Sequence, residues 1–105
     1  MKEHISMFQA LADPARLRIV EAMKSGEWAV GDIVARMDIH QSGVSRHLRI
    51  LAEAGIVRMR PDGQKRLYSV RADAFDRLEA WVTGYRRHWD KRLDRLGNAL
   101  QGKSR

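Results

Sequence analysis

QSGVSRHLRILAEAG, residues 41–55, is the stretch whose reading decides the fold. At helical spacing Val44, Leu48, Leu51 and Ala52 share one face, while Gln41, Ser42, Ser45, Arg46 and Arg49 fall largely on the other. The polar face is unusual in composition. A solvated helix surface commonly mixes Glu with Lys, but this one carries hydroxyls, an amide and guanidiniums, donors and acceptors sized for base edges and phosphates. The only acid in the stretch, Glu53, sits in its last turn. Gly55 supplies a left-handed C-terminal cap, and Ile56 and Val57 begin an extended segment. The pattern predicts a helix that reads DNA.

Such a helix needs a scaffold, and the preceding residues supply one. His4 to Ala12 places Ile5, Phe8, Leu11 and Ala12 on one face of a short amphipathic helix. Asp13-Pro14 ends it and starts another, because Asp accepts an orphan N–H and Pro has none to lose. The second helix is expected from Pro14 to Lys24, with Leu17, Val20 and Met23 inward, stopped by Ser25-Gly26. A third runs from Val30 to Met37, its apolar side Ile33, Val34 and Met37, and Asp38-Ile39-His40 turns into residue 41. Two helices, a tight turn and a polar-faced second helix form a helix-turn-helix.

Beyond Gly55 the period changes. Ile56 to Arg60 and Lys65 to Val70 read as strands around a Pro61-Asp62-Gly63-Gln64 turn, a two-stranded hairpin with Arg58, Arg60, Lys65 and Arg66 near its tip. Those cations can lie on phosphates or reach a minor groove. From Asp73 to Leu100 the residues Phe75, Leu78, Val82, Tyr85, Trp89, Leu93, Leu96 and Leu100 recur at steps of 3 and 4, a coiled-coil-like seam. A helix of that length spans roughly 40 Å at ~1.5 Å per residue, longer than the rest of the chain can cover. Its economical partner is a second copy, with the first and last helices packed across a two-fold axis. The expected interface is Ile5, Phe8, Trp81, Tyr85, Trp89, Leu93 and Leu96. Two recognition helices so related can enter successive major grooves about 34 Å apart, which predicts an imperfect inverted repeat as target.

Composition narrows the alternatives. The 105 residues, 44% of them hydrophobic, predict a single domain over 1–100 with a disordered basic tail over 101–105. With no cysteine there is no disulfide, thiolate zinc site or thiol switch. No apolar run approaches the ~20 residues of a membrane span and the N-terminus lacks a signal core, so a cytoplasmic, nucleoid-associated bacterial protein with no membrane partner is expected. Net charge is +7, and it is unevenly distributed. Residues 1–40 hold 5 basic and 6 acidic side chains, 41–70 hold 6 and 2, and 71–105 hold 9 and 5, so the excess begins at the recognition helix. A basic surface of this kind attracts nucleic acid.

In order and spacing, Asp13-Pro14-x-Arg16, Val44-Ser45-x-His47-Leu48 and Ala54-Gly55-Ile56-Val57, with a hairpin ending RLYSV and a long final helix, resemble the ArsR family of bacterial winged helix-turn-helix repressors. The resemblance runs from about Phe8 to Leu96. It implies a mainly α fold of five helices and a two-stranded wing, dimerising through first and last helices, that releases its operator when an effector binds. The family's cysteine motif falls on Glu27 to Asp32, with Ala29 and Gly31 where thiolates would stand. The ligand positions of its zinc sensors fall near Ala72, Ala74, Tyr85 and His88. No metal site and no cofactor are therefore expected. The run from Tyr85 to Leu93 resembles a subgroup without metal ligands.

The expected DNA contacts are Gln41, Ser42 and Arg46 at base edges, with Ser45, His47 and Arg49 at phosphates or at the margin of the base set. For His47 a second reading stands beside this one: it bonds to the scaffold and orients the helix. His40 stands at a helix start where Ser caps better. Gly43 is read as allowing close backbone approach to a phosphate, in preference to a helix end that orders on binding. Partners are double-stranded DNA and a second copy of the chain. Two accounts of control remain open: a small-molecule effector at Trp81, Tyr85 and Trp89, or autorepression set by the protein's own concentration. Two other functions compete with a sequence-specific repressor: a winged-helix protein-interaction module and a non-specific DNA binder. The scarcity of acid between Gln41 and Tyr68 argues against the module. No enzyme is expected, since the acids are scattered and there is no nucleophile arrangement or phosphate loop.

Overall fold

Asp13 and Pro14 set the phase of the first helices. The Asp13 carboxylate accepts from the backbone N–H of Ala15 at 2.8 Å and of Arg16 at 3.2 Å, which closes the first turn after Pro14. The computed structural model describes residues 2–103, in the order α1 (Lys2–Leu11), α2 (Pro14–Ala22), β1 (Trp28–Ala29), α3 (Val30–Arg36), α4 (Gln41–Glu53), β2 (Val57–Asp62), β3 (Lys65–Val70) and α5 (Ala72–Lys103). Two compact units meet in sequence between Ala74 and Phe75.

In the first unit Met7, Ile19, Met23, Ile33, Val44, Leu48, Leu51 and Ile56 are fully buried. The inward face of α2 differs from the expected one. Leu17 is 43% exposed, and Ile19 takes its place beside Val20 and Met23. The start at Pro14 points positions 16, 19, 20 and 23 inward, and Leu17 lies about 100° away from position 16 on a helix of 3.6 residues per turn.

α4 ends in a Schellman cap. Gly55 has φ +80°, its N–H reaches Ala52 O at 3.0 Å, and Ile56 N–H reaches Leu51 O at 3.0 Å. That exit drops Ile56 and Val57 into the core and aims β2 at its partner. The expected two-stranded wing is a three-stranded antiparallel sheet of order β1-β3-β2. The added strand pairs Trp28 with Tyr68 and Ala29 with Leu67. Two residues are too few to display an alternation, so periodicity could not reveal β1. The hairpin is also tighter than expected. Pairing continues to Asp62 opposite Lys65, leaving Gly63-Gln64 as the turn, and Pro61 is accommodated on the edge strand, where a missing N–H breaks no ladder.

α5 holds 32 residues, about 48 Å at ~1.5 Å per residue. Gln101 to Lys103, expected in a disordered tail, form its last turn; positions 104 and 105 of that tail lie outside the described residues. Val82, Tyr85, Trp89, Leu93, Leu96 and Leu100 are all exposed along the second unit. Trp81 is half-buried and stacks on Tyr85, with ring centres 5.1 Å apart and planes 9° from parallel.

Candidate nucleic-acid interface

α4 buries Val44, Leu48 and Leu51 and presents Gln41, Ser42, Ser45, Arg46 and Arg49 to solvent. The short hydroxyls and the two guanidiniums therefore share the exposed side of a helix whose other side is locked in the core. At its start His40 caps effectively: its Nδ1 accepts from Ser42 N–H at 3.3 Å and lies 3.0 Å from Ser42 Oγ. Gly43 follows in the first turn of the same helix. A Cβ there would stand 3.0 Å from Ile39 Cγ2, so the side chain of the preceding turn occupies that space.

Along the sheet, alternation divides the wing residues between two faces. Val57 and Tyr68 are buried, so the face shared by Val57, Met59, Arg66 and Tyr68 looks inward, while Arg58, Arg60 and Lys65 look outward. The inward group joins α4 in a groove of about 510 Å³ whose lining includes Ser42, Ser45, Arg46, Arg49, Met59, Arg66 and Tyr68, with Glu53 as its one acid. Three guanidiniums, from Arg46, Arg49 and Arg66, thus converge on one concave surface. Lys65 and Arg66 also border a hollow of about 410 Å³ between the hairpin and the start of α3, together with Asp32, Gln41 and Gln64.

Arg60 is occupied within the protein. Its Nε and terminal amine donate to the two oxygens of Glu27, each at 2.8 Å, a bidentate pair spanning β3. The hydrogen bond from Arg60 holds the Glu27 carboxyl below its ordinary value, with the charge of Arg58 adding to the effect, and raises Arg60 in return. His47 is half-buried and turned from the exposed polar side: its Nδ1 lies 3.5 Å from Arg16, whose Nε donates to Ala10 O at 2.6 Å. This contact favours the scaffold reading of His47.

Sequence reasoning gave no role to Glu27 or Arg16. Glu27 stands 33 residues from Arg60, and no local spacing signals a pair so distant. Of the expected interface residues, Ile5 and Phe8 are exposed on α1, and Tyr85, Trp89, Leu93 and Leu96 on α5. Among the described residues no three His, Cys, Asp or Glu side chains cluster as a metal site, and no helix is long and apolar enough to cross a membrane.

A family model described as a helix-turn-helix domain matches residues 11–60. The chain is 38% identical over 72 residues to the biofilm growth-associated repressor of Agrobacterium fabrum, covering 69% of this chain and 62% of that protein, less than two thirds of its length. It is 36% identical over 86 residues to the HTH-type transcriptional regulator Rv2034 of Mycobacterium tuberculosis, covering 82% of this chain and 78% of the relative. Among solved structures, the ArsR family transcriptional regulator RHA00566 superposes with a TM-score of 0.76 at 25% identity, over 85% of this chain and 92% of that one. The homodimeric winged helix-turn-helix DNA-binding domain Mb0332 of Mycobacterium bovis superposes with a TM-score of 0.67 at 27% identity, over 80% and 78%. Fold, motif order and relatives agree: the chain belongs to the ArsR family of winged helix-turn-helix transcriptional regulators.

Proposed function

We propose that this protein is a sequence-specific repressor that binds an inverted-repeat operator in duplex DNA as a homodimer, in the cytoplasm of a bacterium. The observation that carries the reading is the convergence of Arg46, Arg49 and Arg66 on the groove beside the Ser42 and Ser45 hydroxyls. Guanidiniums make bidentate contacts to guanine edges or phosphates, and the hydroxyls fit either partner. Gln41, Ser42 and Arg46 read base edges. Ser45, Arg49, Arg58, Lys65 and Arg66 take phosphates, while His47 and Arg60 serve the scaffold.

The dimer forms through Ile5 and Phe8 of α1 and through Trp81, Tyr85, Trp89, Leu93 and Leu96 of α5. Its support is the exposed apolar run on α5, whose steps of 3 and 4 match a helix-packing seam. The homodimeric Mycobacterium bovis neighbour lends further support.

Fluorescence anisotropy tests the reading, with the protein titrated into labelled duplex from upstream of its own gene and into a scrambled duplex at physiological salt. The expected result is a preference of about 10³-fold or more at two chains per duplex. Equal affinity for both, falling steeply with salt, would reduce the protein to a non-specific binder.

A further inference from the structure

Glu27 and Arg60 form a pair that the DNA-binding reading does not use. The carboxylate lies ahead of β1, the guanidinium is on edge strand β2, and the contact crosses β3 on the outward face of the sheet. Both oxygens are engaged at 2.8 Å, so the Nε edge of Arg60 is filled. Both side chains remain open to solvent, at 52% for Arg60 and 40% for Glu27. The pair neutralises one cation on the outward face of the wing.

We infer that Glu27 limits the protein's affinity for duplex DNA by holding Arg60 off the phosphates. The inference rests on the DNA-binding reading. Non-specific affinity comes almost wholly from cations that displace counterions from phosphates, and each added contact steepens its salt dependence by about 0.9 in the logarithmic slope. Arg60 bound to Glu27 is a neutral pair and releases no counterion. Freed, it would add one phosphate contact per chain on the face it shares with Arg58 and Lys65. Such a contact raises affinity for every duplex alike, and base readout by α4 is unchanged.

The test compares the wild-type protein with Glu27→Gln and with the double variant Glu27→Gln/Arg60→Gln, by anisotropy on the native upstream and scrambled duplexes across a range of salt. Glutamine keeps the shape of Glu27 and removes its charge. The expected result for Glu27→Gln is a slope steeper by about 0.9 per chain and several-fold tighter binding to both duplexes, with the native-to-scrambled ratio unchanged. The double variant, which removes both charges, should return to the wild-type slope and affinity. An unchanged or weaker Glu27→Gln, or a gain that persists in the double variant, would overturn the inference while leaving wild-type operator binding intact. Failure of the wild-type protein to bind any duplex would overturn the DNA reading and this inference together.

Discussion

Arg16 of α2 joins the end of α1 to the middle of the recognition helix: its Nε donates to Ala10 O at 2.6 Å, and its Nη1 lies 3.5 Å from His47 Nδ1. One guanidinium thereby satisfies a carbonyl left over by α1 and orients a ring on α4. Arg16→Ala removes a charged hydrogen bond to a partly buried carbonyl, and should cost about 2 kcal/mol. Urea unfolding of both proteins checks it, with Arg16→Lys expected to recover part of the loss. A midpoint unchanged by Arg16→Ala would mean that the corner holds without this side chain.

Asp13 makes the same corner sensitive to acid. The Arg16 backbone N–H lowers its pKa first, the Ala15 N–H and the charges of Arg16 and His47 add to that, and partial desolvation works against them. A carboxyl depressed in the folded state contributes stability above its unfolded value and loses it as pH falls through the folded one. Asp13→Asn should therefore be less stable than wild type near neutrality, with the gap narrowing only below the ordinary carboxylate value of 3.8. Thermal unfolding across that range checks the sign. A gap that widens on acidification would reverse it.

Arg46 and Arg66 line the same groove but are assigned different tasks. Arg46→Ala should cost about 1–3 kcal/mol on the preferred duplex and relax preference at one base pair. Arg66→Gln should weaken native and scrambled duplexes alike and reduce the salt slope by about 1. Binding to a panel of single-base variants separates the two. An intact base preference in Arg46→Ala would move base recognition to Gln41 and Ser42.

Trp89 and Leu93 stand on the exposed run of α5 at 43% and 59% exposure. Trp89→Glu or Leu93→Glu introduces a charge that pairing would have to desolvate, so either should shift the protein from dimer to monomer in sedimentation equilibrium. The same variants should lose operator affinity because two half-sites can no longer be held together. Dimers that persist in both would remove this helix from the interface.

The parts legible in the sequence were those written in local period or local chemistry. The apolar positions Val44, Leu48 and Leu51, the Asp13-Pro14 start and the Gly55 exit are decided within a few residues, and each stands where spacing indicated. What escaped depended on residues far apart. β1 exists because Trp28 and Ala29 meet Tyr68 and Leu67 across the sheet, and two residues carry no period. The inward turn of Ile19 instead of Leu17 follows from the phase set at Pro14, which a nine-residue helix leaves ambiguous in its pattern. The candidate site divides in the same way. The exposed face of α4 could be read from its own composition, but the four cations of the wing looked equivalent until the register sent Arg66 inward and Arg60 onto Glu27.

The most direct test of the central claim is selection of duplexes from a randomised pool by the purified protein at physiological salt, followed by sequencing. A homodimer that reads bases through α4 should enrich one inverted repeat, with half-site centres about 10–10.5 base pairs apart and guanine at the position lost in Arg46→Ala. Enrichment of no shared motif, or of a single site lacking two-fold symmetry, would contradict it.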